Sequence, residues 1–281
     1  MKFLKTIKKF DIDFCAAVWY NIHMKIGIST ACLCGRAETE DAFDIIKQAG
    51  ADCIEVYLQT FYEYRPEFAE KFSARAEGLE VNSIRVAPNN FEPQLFSDSR
   101  RVRGDGFYWL DQITRSAQLF GTKYYTFNGG ILCGGECENF DKTAERLREI
   151  ADFCAGCGVT LSLENSSWAT CNRPEVFHEL KSRCPQIAGA FSIKNARESG
   201  YPYQMYISDM AGAISHVLIS DVDENGKTCL PNSGIYDFVD IFKRLKGAGF
   251  DGAVIIETGN FNDISELKNS VEFLKNIVAK V

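Results

Sequence analysis

Hydrophobic and polar positions alternate in two rhythms along this chain, and the rhythms take turns. Short, strand-like apolar runs fall at residues 25–30, 52–57, 81–86, 123–128, 159–164, 187–192, 214–220 and 252–257. Such runs suit strands buried on both faces. Between them lie amphipathic stretches with helical period, such as AFDIIKQAG, TAERLREIADFCAG and FVDIFKRLKGAG, and a last one, ISELKNSVEFLKNIVAKV, closes the chain. Several end on Gly just before the next strand, as a helix C-terminus should. Eight strands alternating with eight helices predict an α/β fold, a single closed parallel (β/α)8 TIM barrel over residues 24–281. A doubly wound open sheet is the competing topology. No glycine-rich loop follows the first strand, so a nucleotide cofactor is not expected.

Two strands end on a charge. VTLSLE finishes at Glu164 and GAVIIE at Glu257. In this barrel type the reactive face lies at the C-terminal ends of the strands, and alternation decides which side chains point inward. Thr160, Ser162 and Glu164 then face the interior, as do Ala253, Ile255 and Glu257. The same parity puts Glu55, Arg85, Asn128, Ser192 and Leu218 at the inner top layer, with His216 one layer below Leu218. Glu55, Glu164 and Glu257 would converge on one rim, where like charges need a cation, a basic side chain or a retained proton. On that view, neutralising Glu257 should leave stability intact or raise it. Arg85, or Lys194 just past strand six, is the candidate basic group. Arg85 either neutralises the glutamates or pairs with loop carboxylates at the rim.

Composition narrows the partners. The chain has 281 residues, 46% of them hydrophobic, and a net charge of −7. It lacks the basic footprint that a nucleic acid requires, and no apolar run reaches the ~20 residues that span a bilayer. The eleven cysteines follow no export signal, because Asp11 and Asp13 interrupt the only candidate apolar segment. Reduced thiols and a cytoplasmic location are expected. Residues 1–23 read either as an extension ahead of Met24 or as a helix packed outside the barrel.

MKIGIST at 24–30, GADCIEV at 50–56, GVTLSLEN at 158–165, SHVLISD at 215–221 and GFDGAVIIE at 249–257 together resemble the sugar phosphate isomerase/epimerase family of xylose isomerase-like barrels. The resemblance implies one divalent metal, Mn or Zn, bound by Glu, Asp, His and Glu, with the two glutamates moving protons on a sugar. Carried over, the catalytic and metal-binding glutamates are Glu164 and Glu257. The Asp and His positions hold Ser192 and Leu218, so the implied metal site is degenerate. Glu55, Arg85, Asn128 and Lys194 are then candidate contacts to a small-molecule carbohydrate. Cys32, Cys34, Cys133, Cys137, Cys171 and Cys229 fall in predicted loops on the reactive face, where thiolates could recruit zinc instead. Of the three histidines, His23 precedes the barrel, His178 lies in a helix, and His216 reads as a satisfied core residue. A catalytically lapsed barrel that binds a carbohydrate or supports a partner enzyme is the alternative. A DNA-repair endonuclease, which shares this barrel, would need more metal-binding histidines and a basic face.

Overall fold

The computed structural model describes residues 24–88, 90–132 and 139–281. The expectations for residues 1–23, His23, Cys133 and Cys137 lie outside the described residues. Eight parallel strands close into a barrel: β1 (Lys25–Ser29), β2 (Cys53–Leu58), β3 (Glu80–Val86), β4 (Tyr124–Phe127), β5 (Thr160–Glu164), β6 (Ala188–Ser192), β7 (Ile214–Ile219) and β10 (Ala253–Ile256). β10 pairs with both β7 and β1, which shuts the ring. Each strand matches one of the apolar runs to within two residues at either end.

Nine α-helices surround the barrel among the described residues: α1 (Thr39–Gln48), α2 (Pro66–Phe72), α3 (Arg100–Phe120), α4 (Phe140–Gly156), α5 (Pro174–Arg183), α6 (Ile193–Glu198), α7 (Tyr203–Asp209), α8 (Phe238–Gly247) and α9 (Ile264–Val278). This is one more than the alternation predicts. The connection after β6 is split, because Gly200 takes a positive φ of 79° and Pro202 then precedes α7. Proline cannot continue a helix from the turn before it. A second departure is a hairpin of β8 (Asp221–Val222) and β9 (Thr228–Cys229) in the loop after β7. Among the described residues no helix is long and apolar enough to cross a membrane.

The apolar residues divide into two clusters. The larger fills the space between strands and helices and takes Val254, Ile256, Leu161 and Leu163. The smaller, of Cys53, Leu218, Ala253 and Ile255, plugs the barrel itself. The predicted alternation therefore holds on β5, β7 and β10. Gly27 makes the plug fit, since a Cβ there would lie 2.6 Å from both Cys53 Sγ and Ile255 Cδ1.

Candidate active site

Register brings the inward residues into two polar layers. In the lower layer Glu55 is fully buried, with Oε1 accepting from Ser29 at 3.0 Å and Oε2 from Ser83 at 3.0 Å and Thr126 at 2.9 Å. Thr126 Oγ1 also lies 3.0 Å from His216 Nε2, and His216 Nδ1 lies 3.0 Å from Ser215 Oγ. The Thr126 hydroxyl has one proton and gives it to Glu55, so His216 donates from Nε2 and accepts at Nδ1. Burial, with Arg85 adding to it, pushes His216 down to about 3, so the ring is neutral. His216 is thus a satisfied interior residue. Glu55, expected to touch substrate, thus spends three acceptor sites on barrel hydroxyls.

The upper layer centres on Arg85. Its Nη1 donates to Glu257 Oε1 at 2.8 Å and lies 4.0 Å from Glu55 Oε1. Its Nη2 is 3.0 Å from Glu164 Oε2, though not aligned for a hydrogen bond. Lys194 Nζ sits 3.7 Å from the other oxygen of Glu257. Of the two readings of Arg85, the pairing with the barrel glutamates is the one observed. Burial would weaken its grip on a proton, but Glu164, Glu257 and Glu55 outweigh that and keep it charged.

The two glutamates diverge. Burial pushes Glu164 up to about 7 against the pull of Arg85. Glu257 is also penalised by burial, yet Arg85 and Lys194 together hold it below the usual carboxylate value. Glu257 is therefore governed by attraction to two cations, and its neutralisation should not be free of cost as repulsion alone suggested. Glu164 Oε1 accepts from Asn195 Nδ2 at 2.6 Å, while Glu164 Oε2 and Arg85 Nε have no hydrogen-bond partner. Solvent reaches this layer through Lys194 and Glu257, whose side chains are 30% and 12% exposed.

Asn195 was not foreseen. Ser192 caps α6, accepting from Asn195 N at 3.3 Å, and that turn swings the Asn195 side chain onto Glu164. A Ser followed three residues later by a polar side chain is the signal that was present. Glu92 was missed too. It is buried in a 3-10 turn after β3, and accepts from Tyr125 Oη at 2.6 Å, Asn128 Nδ2 at 3.0 Å and Asn128 N at 3.2 Å. Asn128 Oδ1 accepts from Ser166. Asn128, expected to touch substrate, thus spends both ends of its amide inside the protein.

The donors do not suit a divalent cation as they stand. A guanidinium lies between Glu164 and Glu257, Ser192 Oγ is engaged in a helix cap, and Leu218 is part of the apolar plug. Among the described residues no cluster of three His, Cys, Asp or Glu side chains is arranged to hold a metal. Nor do the described loop cysteines offer ready thiolates. Burial pushes the Cys32 thiol up to about 12, and it raises Cys34, Cys171 and Cys229 as well.

The family model for xylose isomerase-like TIM barrels matches residues 43–277. The chain belongs to that family. Among solved structures, an L-ribulose 3-epimerase is similar with a TM-score of 0.74 at 17% identity, covering 92% of this chain and 95% of its own. A D-tagatose 3-epimerase-like protein gives 0.73 at 18%, covering 92% and 99%. The 3-keto-D-glucoside 4-epimerase YcjR of E. coli gives 0.70 at 16%, covering 90% and 99%. At these identities the likeness is one of fold. No curated protein matches the sequence at a significant level.

Proposed function

We propose that this barrel moves a proton between Glu257 and Glu164 on a small carbohydrate, as an isomerase or epimerase, with Arg85 in place of the family's metal. The observation that carries the reading is the split pair. Two carboxylates flank one guanidinium, and their environments push their proton affinities apart. Such a split assigns base and acid. Glu257, ionised, takes the proton from the carbon beside the carbonyl. The electrons of that C–H bond pass to the carbonyl oxygen, and Arg85 stabilises the developing charge through donors such as its unpartnered Nε. Glu164, protonated, returns a proton to the opposite face. Asn195 holds Glu164 Oε1 so that Oε2 is the oxygen turned to the reacting carbon. The neighbours named as sugar 3- and 4-epimerases support this class of substrate.

One observation favours binding without turnover: Arg85 already engages both glutamates, at 3.0 and 2.8 Å. Incubation with a panel of free ketoses in D2O separates the readings. Proton transfer predicts deuterium entering the carbon beside the carbonyl, seen by NMR and lost in Glu164→Gln and Glu257→Gln. Ligand-induced thermal stabilisation without any exchange would support the lapsed barrel.

A further inference from the structure

Anionic ligands of a TIM barrel are commonly held by the loops after its last two strands and by a helix N-terminus there. In this chain backbone donors after β7 and at the two following helix starts go to the protein's own carboxylates. After the last strand, Thr258 N donates to Cys32 Sγ and Asn260 N to Thr258 Oγ1. Asp221, 2% exposed and the first residue of β8, accepts from Val222 N at 2.8 Å, Tyr236 N at 3.0 Å and Gly234 N at 3.0 Å. The approach is so close that a Cβ on Gly234 would lie 2.2 Å from Val222 O and 2.5 Å from Asp221 Oδ1. Three backbone donors converging on one carboxylate form an anion cradle, and Asp221 fills it.

The two following helices repeat the pattern. Asp237 caps α8 by accepting from Val239 N and Asp240 N, and Asp263 caps α9 by accepting from Ser265 N. Beside them a cavity of about 370 Å³ is lined by Arg36, Lys227, Asp223, Glu266, Asn260 and Asn262, two cations against two anions. Arg36 is committed: it donates to the carbonyls of Gly259 and Phe261 and stacks 4.3 Å from the Phe261 ring. Lys227 lines that cavity together with Asp223 and Glu266. At the barrel centre Arg85 and Lys194 already meet three glutamates.

We infer that the substrate is an uncharged polyhydroxy carbonyl compound, a free sugar or polyol derivative, and that its phosphorylated counterpart is excluded because the chain's own carboxylates occupy the anion-holding donors. This rests on the proton-transfer reading for what happens to the substrate, but the exclusion is tested separately. Wild-type protein should show no thermal stabilisation by inorganic phosphate or sulfate. Asp221→Ala, which bares the three N–H groups, should gain it. Asp263→Ala serves as the second variant if Asp221→Ala does not fold. In matched pairs such as D-ribulose with D-ribulose 5-phosphate, and D-fructose with D-fructose 6-phosphate, kcat/KM should favour the free sugar by roughly tenfold or more. Stabilisation of wild type by phosphate, or a preference for the sugar phosphates, overturns the inference and leaves proton transfer intact. Loss of exchange with every sugar of both kinds overturns proton transfer, while the phosphate melts still decide the exclusion.

Discussion

Glu55 and Glu164 both lie inside the barrel with no exposure, and both are raised above the usual carboxylate value chiefly by burial. Their neighbours treat them differently. Glu55 accepts from three hydroxyls that are themselves fixed by the strands, and the chain of bonds runs on through His216 to Ser215 and Ser162. Glu164 has one oxygen fixed by Asn195 and the other lacking a hydrogen-bond partner beside an equally unpartnered Arg85 Nε. A completed buried network specifies structure, whereas an incomplete one is costly unless something else completes it. One layer down, the barrel is finished; at the rim, two buried polar atoms are left without a hydrogen bond.

The comparison breaks most easily at Arg85. Among the described residues it is the one cation that meets Glu55, Glu164 and Glu257, so Arg85→Met strands buried carboxylates. Removing one partner of a buried pair costs roughly 3–5 kcal/mol. Denaturant melts at neutral pH should show that loss, together with the disappearance of deuterium exchange. The deficit should shrink in acid as the stranded carboxylates take up protons. An Arg85→Met protein as stable as wild type would remove the central role given to this residue.

The next effect separates the two rim glutamates. Each Gln variant should lower exchange by roughly 10²–10⁴-fold, the range of general acid–base catalysis. Their stabilities should part company. Glu257→Gln gives up the attraction of Arg85 and Lys194 and should be the less stable protein, while Glu164→Gln replaces a carboxyl that already tends to hold its proton. Equal melting temperatures for the two would mean that the environments are not split.

In the completed layer, Thr126→Val takes a donor from Glu55 Oε2 and the acceptor from His216 Nε2. Leaving buried polar atoms unmatched costs roughly 1–3 kcal/mol. Exchange per folded molecule should stay at the wild-type level, since the Thr126 hydroxyl bonds to Glu55 and His216 rather than to Arg85, Glu164 or Glu257. Loss of exchange without loss of stability in Thr126→Val would show that the two layers work as one.

How much of this was written in the residues follows from what alternation can carry. Period two fixes direction, so Glu164, Glu257 and Arg85 were placed inside before any geometry, and Leu218 fell into the plug as its parity required. Direction says nothing about completion. Glu55 and Asn128 point as expected, but their hydrogen bonds come from Ser29, Ser83, Thr126, Glu92 and Ser166 on other elements. Glu92 sits in a 3-10 turn with no period to read, and β8 and β9 are two residues each. The break between α6 and α7 is legible in the GYP of residues 200–202, but alternation alone needs only one helix between β6 and β7.

The smallest expected effect sharpens the comparison through pH. Glu164 is raised from 4.5 to about 7 in the folded chain. Between those values the unfolded chain is ionised at this position while the folded one keeps its proton, so unfolding releases a proton. Wild-type stability therefore gains from Glu164 below pH 4.5, falls as pH rises toward 7, and has no further slope from this group above it. The slope is at most about 1.4 kcal/mol per pH unit. Glu92, also pushed up to about 7 by burial, adds a slope of the same sign. His216, pushed down to about 3 from 6.5, adds one of opposite sign between those values. Both groups are common to wild type and Glu164→Gln, so they cancel in the difference between the two proteins. That difference should move in favour of the Gln variant from pH 5 to pH 7 and then level off. A flat difference would place Glu164 among the ordinary carboxylates and return the rim to the same footing as the layer beneath it.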